Sequence, residues 1–163
     1  MARLCYIVAM IMLSLASASA CNSPFIPIIG SCFYFHETLM SWDDARDYCL
    51  SLSTDEYYSD LAVVHSCDQL GAIRQHIILE YGNVWHWVGG YDKGEEGSWH
   101  WVDGTTVQRG CPFWYPGRPL TDDTRNCLVM EMYTGSFFDH PCESKGLVIC
   151  EETVLPLASL DLN

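Results

Sequence analysis

The cysteines constrain this chain more than any other feature of its sequence. Nine occur in 163 residues, and all but Cys5 follow residue 20. An even set of cysteines in an exported chain indicates a disulfide framework, here of four bridges. Zinc is the competing use of cysteine, but the sequence has no C-x-x-C pair, and its six histidines show no ligand-like spacing with the cysteines. We therefore expect disulfides among Cys21, Cys32, Cys49, Cys67, Cys111, Cys127, Cys142 and Cys150.

Residues 1–20 have the organisation of a signal peptide. Arg3 supplies a short positive segment, residues 4–15 are apolar, and Ala18-Ser19-Ala20 forms a small-x-small cleavage site. The apolar run is too short to span a membrane, which disfavours the alternative of an N-terminal anchor helix. We expect a secreted, extracellular protein whose mature chain begins at Cys21.

Length and charge favour one acidic domain. The chain has 8 Lys and Arg against 21 Asp and Glu, a formal net charge of −13. This charge argues against nucleic acid and anionic membrane surfaces as partners. No stretch after residue 20 is long and apolar enough to predict a transmembrane segment. We expect residues 21–152 to form the domain and residues 153–163 to form a C-terminal tail with little to fold around.

A first helix is predicted to begin at Ser41, whose hydroxyl is suited to capping. Trp42, Ala45 and Cys49 follow at helical spacing and would share one inward face. Cys49 is therefore expected to be buried and bridged.

A second helix is predicted to begin at Ser66, which forms a capping box with Gln69 three residues later. Gly82 supplies a stop signal. The apolar stripe between these two signals consists of Leu70, Ile73, Ile77 and Ile78.

The sequence after Gly82 favours strands and one long loop. Trp85-His86-Trp87-Val88 and Trp99-His100-Trp101-Val102 both show the period of two that is typical of a strand. Residues 104–126, here called the long loop, are rich in Gly, Pro and Asp. A loop of this length is uncommon in a compact domain and usually carries function. We expect it to form a ligand-binding surface on a disulfide-bonded frame, with Trp114 packed into the core.

The order and spacing of these features resemble the C-type lectin-like domain in its long form, which has an extra N-terminal cysteine pair. Secreted single-domain invertebrate lectins, such as those of crustaceans, look most similar. The resemblance implies an α+β fold with two helices, two small antiparallel sheets, a long loop and four disulfides. The motifs that carry it are Cys32-Phe33-Tyr34-Phe35, the helix with Trp42, Ala45 and Cys49, Asp60-Leu61-Ala62-Val63, Trp87-Val88-Gly89-Gly90, Glu96-Gly97-x-Trp99-x-Trp101-x-Asp103-Gly104, Asn126-Cys127, Asp139-x-x-Cys142 and Ile149-Cys150-Glu151.

The resemblance also implies a cysteine pairing, which the number of cysteines alone leaves open. The family pattern joins Cys49 with Cys150, Cys127 with Cys142, and Cys21 with Cys32. Cys67 and Cys111 are left over, and their pairing with each other is the simplest completion.

The family's sugar-binding calcium site is altered in this sequence. Sugar-binding members use a Glu-Pro-Asn or Gln-Pro-Asp triplet, a later Glu, and a Trp-Asn-Asp triplet. The corresponding residues here are Arg118-Pro119-Leu120, Arg125 and Phe137-Phe138-Asp139. The arginine and leucine side chains offer no oxygen, whereas calcium requires oxygen ligands. The resemblance therefore predicts that the usual calcium site is lost and that Pro119 retains a cis peptide bond.

Two alternatives remain for the acidic residues of this loop. Asp122 and Asp123 could form a displaced calcium site with Asp139, or they could pair with Arg118 and Arg125. We favour ion pairs, because the charges balance without a metal.

An auxiliary calcium site of the family is partly retained. Asp92 and Glu96 match its acidic pair in position, and Asn126 could contribute with Thr121 or Asp122. The alternative is an acidic, solvated turn without calcium. The sequence therefore leaves open whether this chain uses calcium as a cofactor.

The predicted function is carbohydrate-binding pattern recognition in innate immunity. The expected ligand-binding residues are Arg118, Pro119, Leu120, Asp122, Asp123, Arg125, Asn126 and Asp139. The alternative is a lectin-like domain that binds a protein partner without calcium, with the loop's aromatic and arginine side chains as anchors. An enzyme is not expected, because the sequence contains no serine elbow, zinc motif or glycine-rich phosphate loop.

Overall fold

The computed structural model describes residues 21–108, 113–131 and 133–155. The predicted signal peptide, Cys111 and residues 156–163 lie outside the described residues. No helix in the described part of the chain is long and apolar enough to cross a membrane. The elements, in chain order, are β1 (Ile26–Ile28), β2 (Ser31–Met40), α1 (Trp42–Ser51), β3 (Tyr57–Leu61), α2 (Cys67–Glu80), β4 (His86–Tyr91), β5 (His100–Trp101), β6 (Cys127–Met130), β7 (Phe137–His140) and β8 (Gly146–Val154).

Helix α1 begins where the sequence predicts. The Ser41 hydroxyl accepts a hydrogen bond from the Asp44 backbone N–H and donates one to the Asp44 carboxylate. This arrangement satisfies an N–H group that the first helical turn would otherwise leave unpaired. Trp42, Ala45 and Cys49 are buried, so the predicted inward face is confirmed.

Helix α2 also begins at its predicted cap. Ser66 Oγ accepts a hydrogen bond from the Gln69 backbone N–H at 3.1 Å. The Gln69 side chain bonds the backbone N–H of His65, one residue earlier than a standard capping box requires. Of the predicted stripe, Leu70, Ile73 and Ile77 are buried, but Ile78 is only half-buried. The stripe is therefore narrower than predicted.

The strands form one eight-stranded sheet in the order β1-β2-β8-β4-β6-β7, with β3 paired to β8 and β5 paired to β4. All pairs are antiparallel except β4 and β8, which run parallel where His86 meets Leu147 and Trp87 meets Val148. This short parallel contact joins what the resemblance implied as two antiparallel sheets.

The central strand β4 does not show the half-buried alternation that its sequence predicts. Residues 86–90 are all buried. The reason is that both faces of β4 are covered: Val88 lies in one hydrophobic cluster and Trp87 in a second. The period-two pattern therefore separates two interior environments rather than core from solvent.

Among the described residues, three disulfides tie the elements together: Cys21–Cys32, Cys49–Cys150 and Cys127–Cys142. These are the pairs that the resemblance implies. The bridge between α1 and β8 closes the longest loop, with a sequence separation of 101. In the chain-entropy model, a disulfide that closes such a loop stabilises the fold by about 4–5 kcal/mol, because it restricts the unfolded chain. Cys67 is exposed, and its predicted partner Cys111 lies outside the described residues.

Strand β8 extends further than the predicted domain boundary at residue 152. Thr153 pairs with Tyr58, and Val154 pairs with Tyr57, in the antiparallel contact between β8 and β3. The Leu155 backbone N–H then bonds the Glu56 carbonyl at 2.8 Å. Residues 153–155 therefore belong to the sheet and its edge, because β3 provides a partner that the sequence did not reveal.

Candidate ligand-binding site in the long loop

The long loop is attached to the sheet by buried aromatic side chains. Trp114 is 3% exposed, and its indole N–H donates to the Gln108 carbonyl at 3.0 Å. Its ring lies 5.1 Å from that of Trp99, centroid to centroid. The loop backbone at Trp114 also runs alongside Phe137 of β7. The prediction that Trp114 packs into the core is confirmed.

Arg118 and Asp139 form the central ion pair of the site. Arg118 Nη1 lies 3.1 Å from each carboxylate oxygen of Asp139. Asp139 is fully buried, and the Arg118 side chain is 18% exposed. Strand β7 points Asp139 inward, and the cis peptide bond between Arg118 and Pro119 lies where the resemblance implies. The structure thus brings together two residues that are 21 positions apart.

An apolar platform adjoins this ion pair. The Arg118 guanidinium carbon lies 4.0 Å from the ring centroid of Phe138, which indicates a cation–π contact. The Tyr115 ring lies 5.0 Å from the Phe138 ring, and the Tyr115 carbonyl accepts the Arg118 backbone N–H at 2.9 Å. Tyr115 and Leu120 are 38% and 42% exposed. Tyr115, Phe138 and the exposed Leu120, two residues after Arg118, are here called the apolar platform; the Tyr115 and Phe138 rings are tilted by 47° to each other.

Arg125 pairs with Asp122 rather than with Asp123. Arg125 Nε lies 3.1 Å from Asp122 Oδ2. Hydrogen bonds from Thr124, and then the Arg125 guanidinium, lower the pKa of Asp122. Neither arginine pairs with Asp123, so the ion pairs differ in detail from those expected: Asp139 takes the place of Asp123 as the partner of Arg118.

Burial and the two neighbouring arginines act together on His140, the last residue of β7. Burial lowers the pKa of His140, and the positive charges of Arg125 and Arg118 lower it further. The Asp139 carboxylate and a backbone hydrogen bond oppose this effect only in part. The two guanidiniums therefore favour the neutral form of the His140 imidazole.

The predicted auxiliary site is an acidic hollow of about 300 Å³, lined by Asp92, Gly94, Glu96, Asp123 and Asn126. Asp92 is 3% exposed. One of its carboxylate oxygens accepts the Gly97 N–H at 2.8 Å, and the other has no hydrogen-bond partner in the described part of the chain. Burial raises the pKa of Asp92, and the charge of Glu96 contributes to that increase.

The hollow differs from its sequence-based description in one ligand. Asp123 lines it, where the sequence suggested Thr121 or Asp122. Asp122 instead turns toward Arg125, and its backbone N–H bonds a Glu96 carboxylate oxygen at 3.2 Å. Within residues 21–108, 113–131 and 133–155, the acidic groups of the hollow do not form a cluster in which three ligand atoms lie within 4.8 Å of one another. An ion bound there would draw these side chains together.

Sequence reasoning missed the role of Phe138, which appears there only as a replacement for a lost ligand. The alternation of Phe137, Phe138 and Asp139 along a strand was the available signal, because it separates their side chains onto two faces. The contact of Phe138 with Arg118 depends on the path of the loop, for which the sequence carried no signal.

Comparison with known proteins gives the family. The model of the lectin C-type domain matches residues 38–152. The human protein C-type lectin domain family 17, member A is 31% identical over 132 residues, which cover 80% of this chain and 32% of that protein. The crystal structure of C-type lectin CEL-I from Cucumaria echinata matches with a TM-score of 0.75 at 25% identity, covering 84% of this chain and 100% of that one. A calcium-independent type II antifreeze protein matches with a TM-score of 0.70 at 26% identity, covering 83% and 96%.

The chain spans about a third of the length of its human relative, which is 32% covered. Neither that relative nor the Cucumaria lectin is a crustacean protein, so the narrower likeness to crustacean lectins stays a prediction. The lectin C-type domain is a non-enzymatic, carbohydrate-binding domain, and the prediction that this chain is not an enzyme is confirmed. Since the family model covers most of the chain and the predicted fold is present, the chain belongs to the C-type lectin domain family.

Proposed function

We propose that this protein is a secreted lectin that binds carbohydrate at the long loop without calcium in the usual sugar-binding position. The observation that carries the proposal is the Arg118–Asp139 ion pair, in which both oxygens of the buried carboxylate accept from one guanidinium nitrogen. Of the side-chain ligands that sugar-binding members of the family use for calcium in this loop, this sequence retains Asp139. Its charge is balanced within the protein.

The residues at the usual calcium position do not fit the ion. Calcium prefers several oxygen ligands, and Arg118 and Leu120 supply none from their side chains. A divalent cation beside Asp139 would also lie close to the Arg118 guanidinium, which repels it by several kcal/mol at the dielectric of a protein surface. The calcium-independent antifreeze protein with the same fold supports the idea that the fold stands without that ion.

The acidic hollow fits calcium better, and we assign the auxiliary site to Asp92, Glu96, Asp123 and Asn126. The free carboxylate oxygen of the buried Asp92 supports this assignment, because a buried carboxylate oxygen without a donor is costly unless an ion or a proton compensates it. When bound, calcium would supply positive charge between three carboxylates and link the Asp123–Asn126 segment to Asp92. Such an ion would hold the loop rather than contact the sugar.

Calorimetric titration of Ca²⁺ into chelator-treated protein tests the auxiliary site. We expect saturable binding by the wild type, its loss in Asp92→Asn, and its retention in Asp122→Asn, because the Asp122 carboxylate pairs with Arg125 outside the hollow. Binding that persists in Asp92→Asn, or the absence of binding by the wild type, would contradict the assignment.

Carbohydrate recognition itself is tested by binding to a glycan array in calcium and in excess EDTA. We expect binding in both conditions, and its reduction in Tyr115→Ala, because Tyr115 offers an exposed aromatic face to a sugar ring. Tyr133→Ala is the matched control, since Tyr133 is 68% exposed but lies outside the long loop. Recognition of microbial glycans in innate immunity would follow if the array shows microbial sugars among the ligands.

A protein ligand is the second candidate. The exposed apolar area of Tyr115 and Leu120 beside Arg118 has the aromatic and arginine composition of an interface anchor. Capture of a protein free of glycans, with no binding to the array in either condition, would favour this candidate over a lectin.

A further inference from the structure

Arg118 has donors that the fold does not use. Its Nη1 makes both hydrogen bonds to Asp139. Its Nε and Nη2 make no hydrogen bond with any residue in the described ranges, and neither is among the buried polar atoms that lack a partner. Both atoms therefore reach solvent. The free Nε–Nη2 edge is the side of the guanidinium that does not face Asp139.

The shape of this free edge restricts what it can bind. Nε and Nη2 present parallel N–H bonds, so the edge matches two acceptor oxygens that lie side by side. A carboxylate has such oxygens, and so do two hydroxyl groups on adjacent carbons of a sugar. The Asp139 contact and the packing on Phe138 fix the guanidinium, so little side-chain entropy remains to be lost when a ligand binds.

Local charge selects the hydroxyl pair over the carboxylate. Asp139 already neutralises Arg118, and Asp122 neutralises Arg125. The neighbouring hollow adds the carboxylates of Asp92, Glu96 and Asp123, which carry more negative charge than one calcium ion would neutralise. A ligand carboxylate would therefore approach a region of net negative charge, whereas a neutral hydroxyl pair would not.

The apolar platform fixes the orientation of the ligand. Phe138 lies under the guanidinium, and Tyr115 lies beside Phe138 with 38% of its surface exposed. A sugar ring has an apolar C–H face that packs against an aromatic ring and an edge of hydroxyl groups. An edge of donors next to an exposed aromatic ring matches that combination.

We propose that the Nε–Nη2 edge of Arg118 binds two adjacent hydroxyl oxygens of a neutral sugar while the sugar's apolar face packs on Tyr115. This inference rests on the proposed carbohydrate binding and deepens it: the guanidinium takes the role that a calcium ion would have, and the ligand class is neutral sugars with an unsubstituted pair of adjacent hydroxyl groups.

The test uses albumin conjugated with mannose, galactose, N-acetylglucosamine or glucuronic acid as probes, with excess EDTA present. Binding of each probe is measured for the wild type, Arg118→Lys, Tyr115→Ala and Arg46→Lys. Lysine keeps a positive charge beside Asp139 but lacks the planar pair of donors. Arg46→Lys is the matched control, because Arg46 also pairs with a buried aspartate, Asp60, but the pair involves α1 and β3 rather than the long loop.

We expect the wild type to bind at least one neutral probe in EDTA and to bind the glucuronic acid probe no better. Arg118→Lys should weaken that binding about tenfold or more, since hydrogen bonds to a charged group are lost. Arg46→Lys should leave it unchanged. In protein labelled with ¹⁵N at arginine, the Nε–H resonance of Arg118 should shift when methyl α-mannoside or another binding monosaccharide is added, an effect that a purely structural role would not produce.

The outcomes separate this inference from the function on which it rests. Binding of neutral probes that requires calcium, or that survives in Arg118→Lys, overturns the role of the guanidinium but leaves a lectin. Strongest binding of the glucuronic acid probe overturns the charge argument. Failure of all probes and of the glycan array, with or without calcium, overturns both.

Discussion

His86 makes the fold sensitive to acid. It is the first residue of β4 and is fully buried. Neither ring nitrogen forms a hydrogen bond of normal geometry with the described residues. The rings of Phe35 and Tyr81 lie 6.1 and 5.8 Å away, centroid to centroid. An imidazolium at this position would lack both water and a counterion.

These surroundings lower the pKa of His86 from 6.5 to about 4. Burial is the main cause, and the charge of His76 adds to it, while the Val84 backbone opposes it. The folded protein therefore binds this proton less readily than the unfolded chain, so stability is lost as the pH falls. The loss begins near pH 6.5, the unfolded value, and levels off below the folded value of about 4. Between pH 7 and pH 4 it amounts to about 3 kcal/mol.

The assay is urea unfolding at pH 7 and pH 4, for the wild type and for His86→Leu, which has similar volume and does not titrate. We expect the wild type to lose about 3 kcal/mol more stability than the variant over this interval. The comparison cancels the effect of carboxyl groups that titrate in both proteins. His65→Leu is the control, because the His65 side chain is 58% exposed. The reasoning is wrong if His86→Leu and the wild type lose the same stability on acidification.

Three further predictions concern single substitutions. Asp139→Asn should lower the free energy of unfolding by about 2–3 kcal/mol, because it leaves Arg118 partly buried without its counterion; urea unfolding measures this loss, and an unchanged stability would contradict the importance of the pair. Gly135→Ala should lower the melting temperature, because Gly135 has φ +70 and an added Cβ would meet the Arg74 side chain at 2.4 Å. Gly71→Ala, inside α2 with open space around its Cβ position, should raise it by removing a poor helix former.

The helices were predictable because their signals are local. Ser41 and Ser66 lie next to the turns that they cap, and helical spacing gives the buried faces apart from Ile78. The disulfide pairing was different: the eight cysteines leave many pairings open, and only the resemblance to a family selected among them.

The sequence indicates which charged residues belong to the candidate site, but it does not indicate which of them form ion pairs with each other. Arg118, Asp122, Arg125 and Asp139 are all predicted from the sequence as ligand-binding residues, yet the partner of Arg118 lies 21 positions away on a strand. The turn determines which of Asp122 and Asp123 pairs with Arg125. In this turn, Asp122 accepts hydrogen bonds from Thr124 and points toward Arg125. Contacts of this kind are set by the backbone path, which composition and spacing do not specify.

The alternating sequence of β4 was likewise insufficient to predict which of its side chains are buried in the core. A period of two indicates that neighbouring side chains face opposite ways, but it does not show what each face meets. Here Trp87 and Val88 both meet protein. Only the positions of α1, α2 and the long loop determine that the strand has no solvent face.

Because Trp114 is buried against Trp99 and Phe137, the long loop shares a hydrophobic core with the sheet. The segment around Trp114 therefore takes its position when the domain folds rather than when a ligand arrives. The exposed residues that contact a ligand can then change identity over evolution while the anchoring residues stay in place. A variant that loosens Trp114 should lose affinity for every ligand alike, whereas a variant at Tyr115 or Leu120 should change the preference among ligands at an unchanged melting temperature.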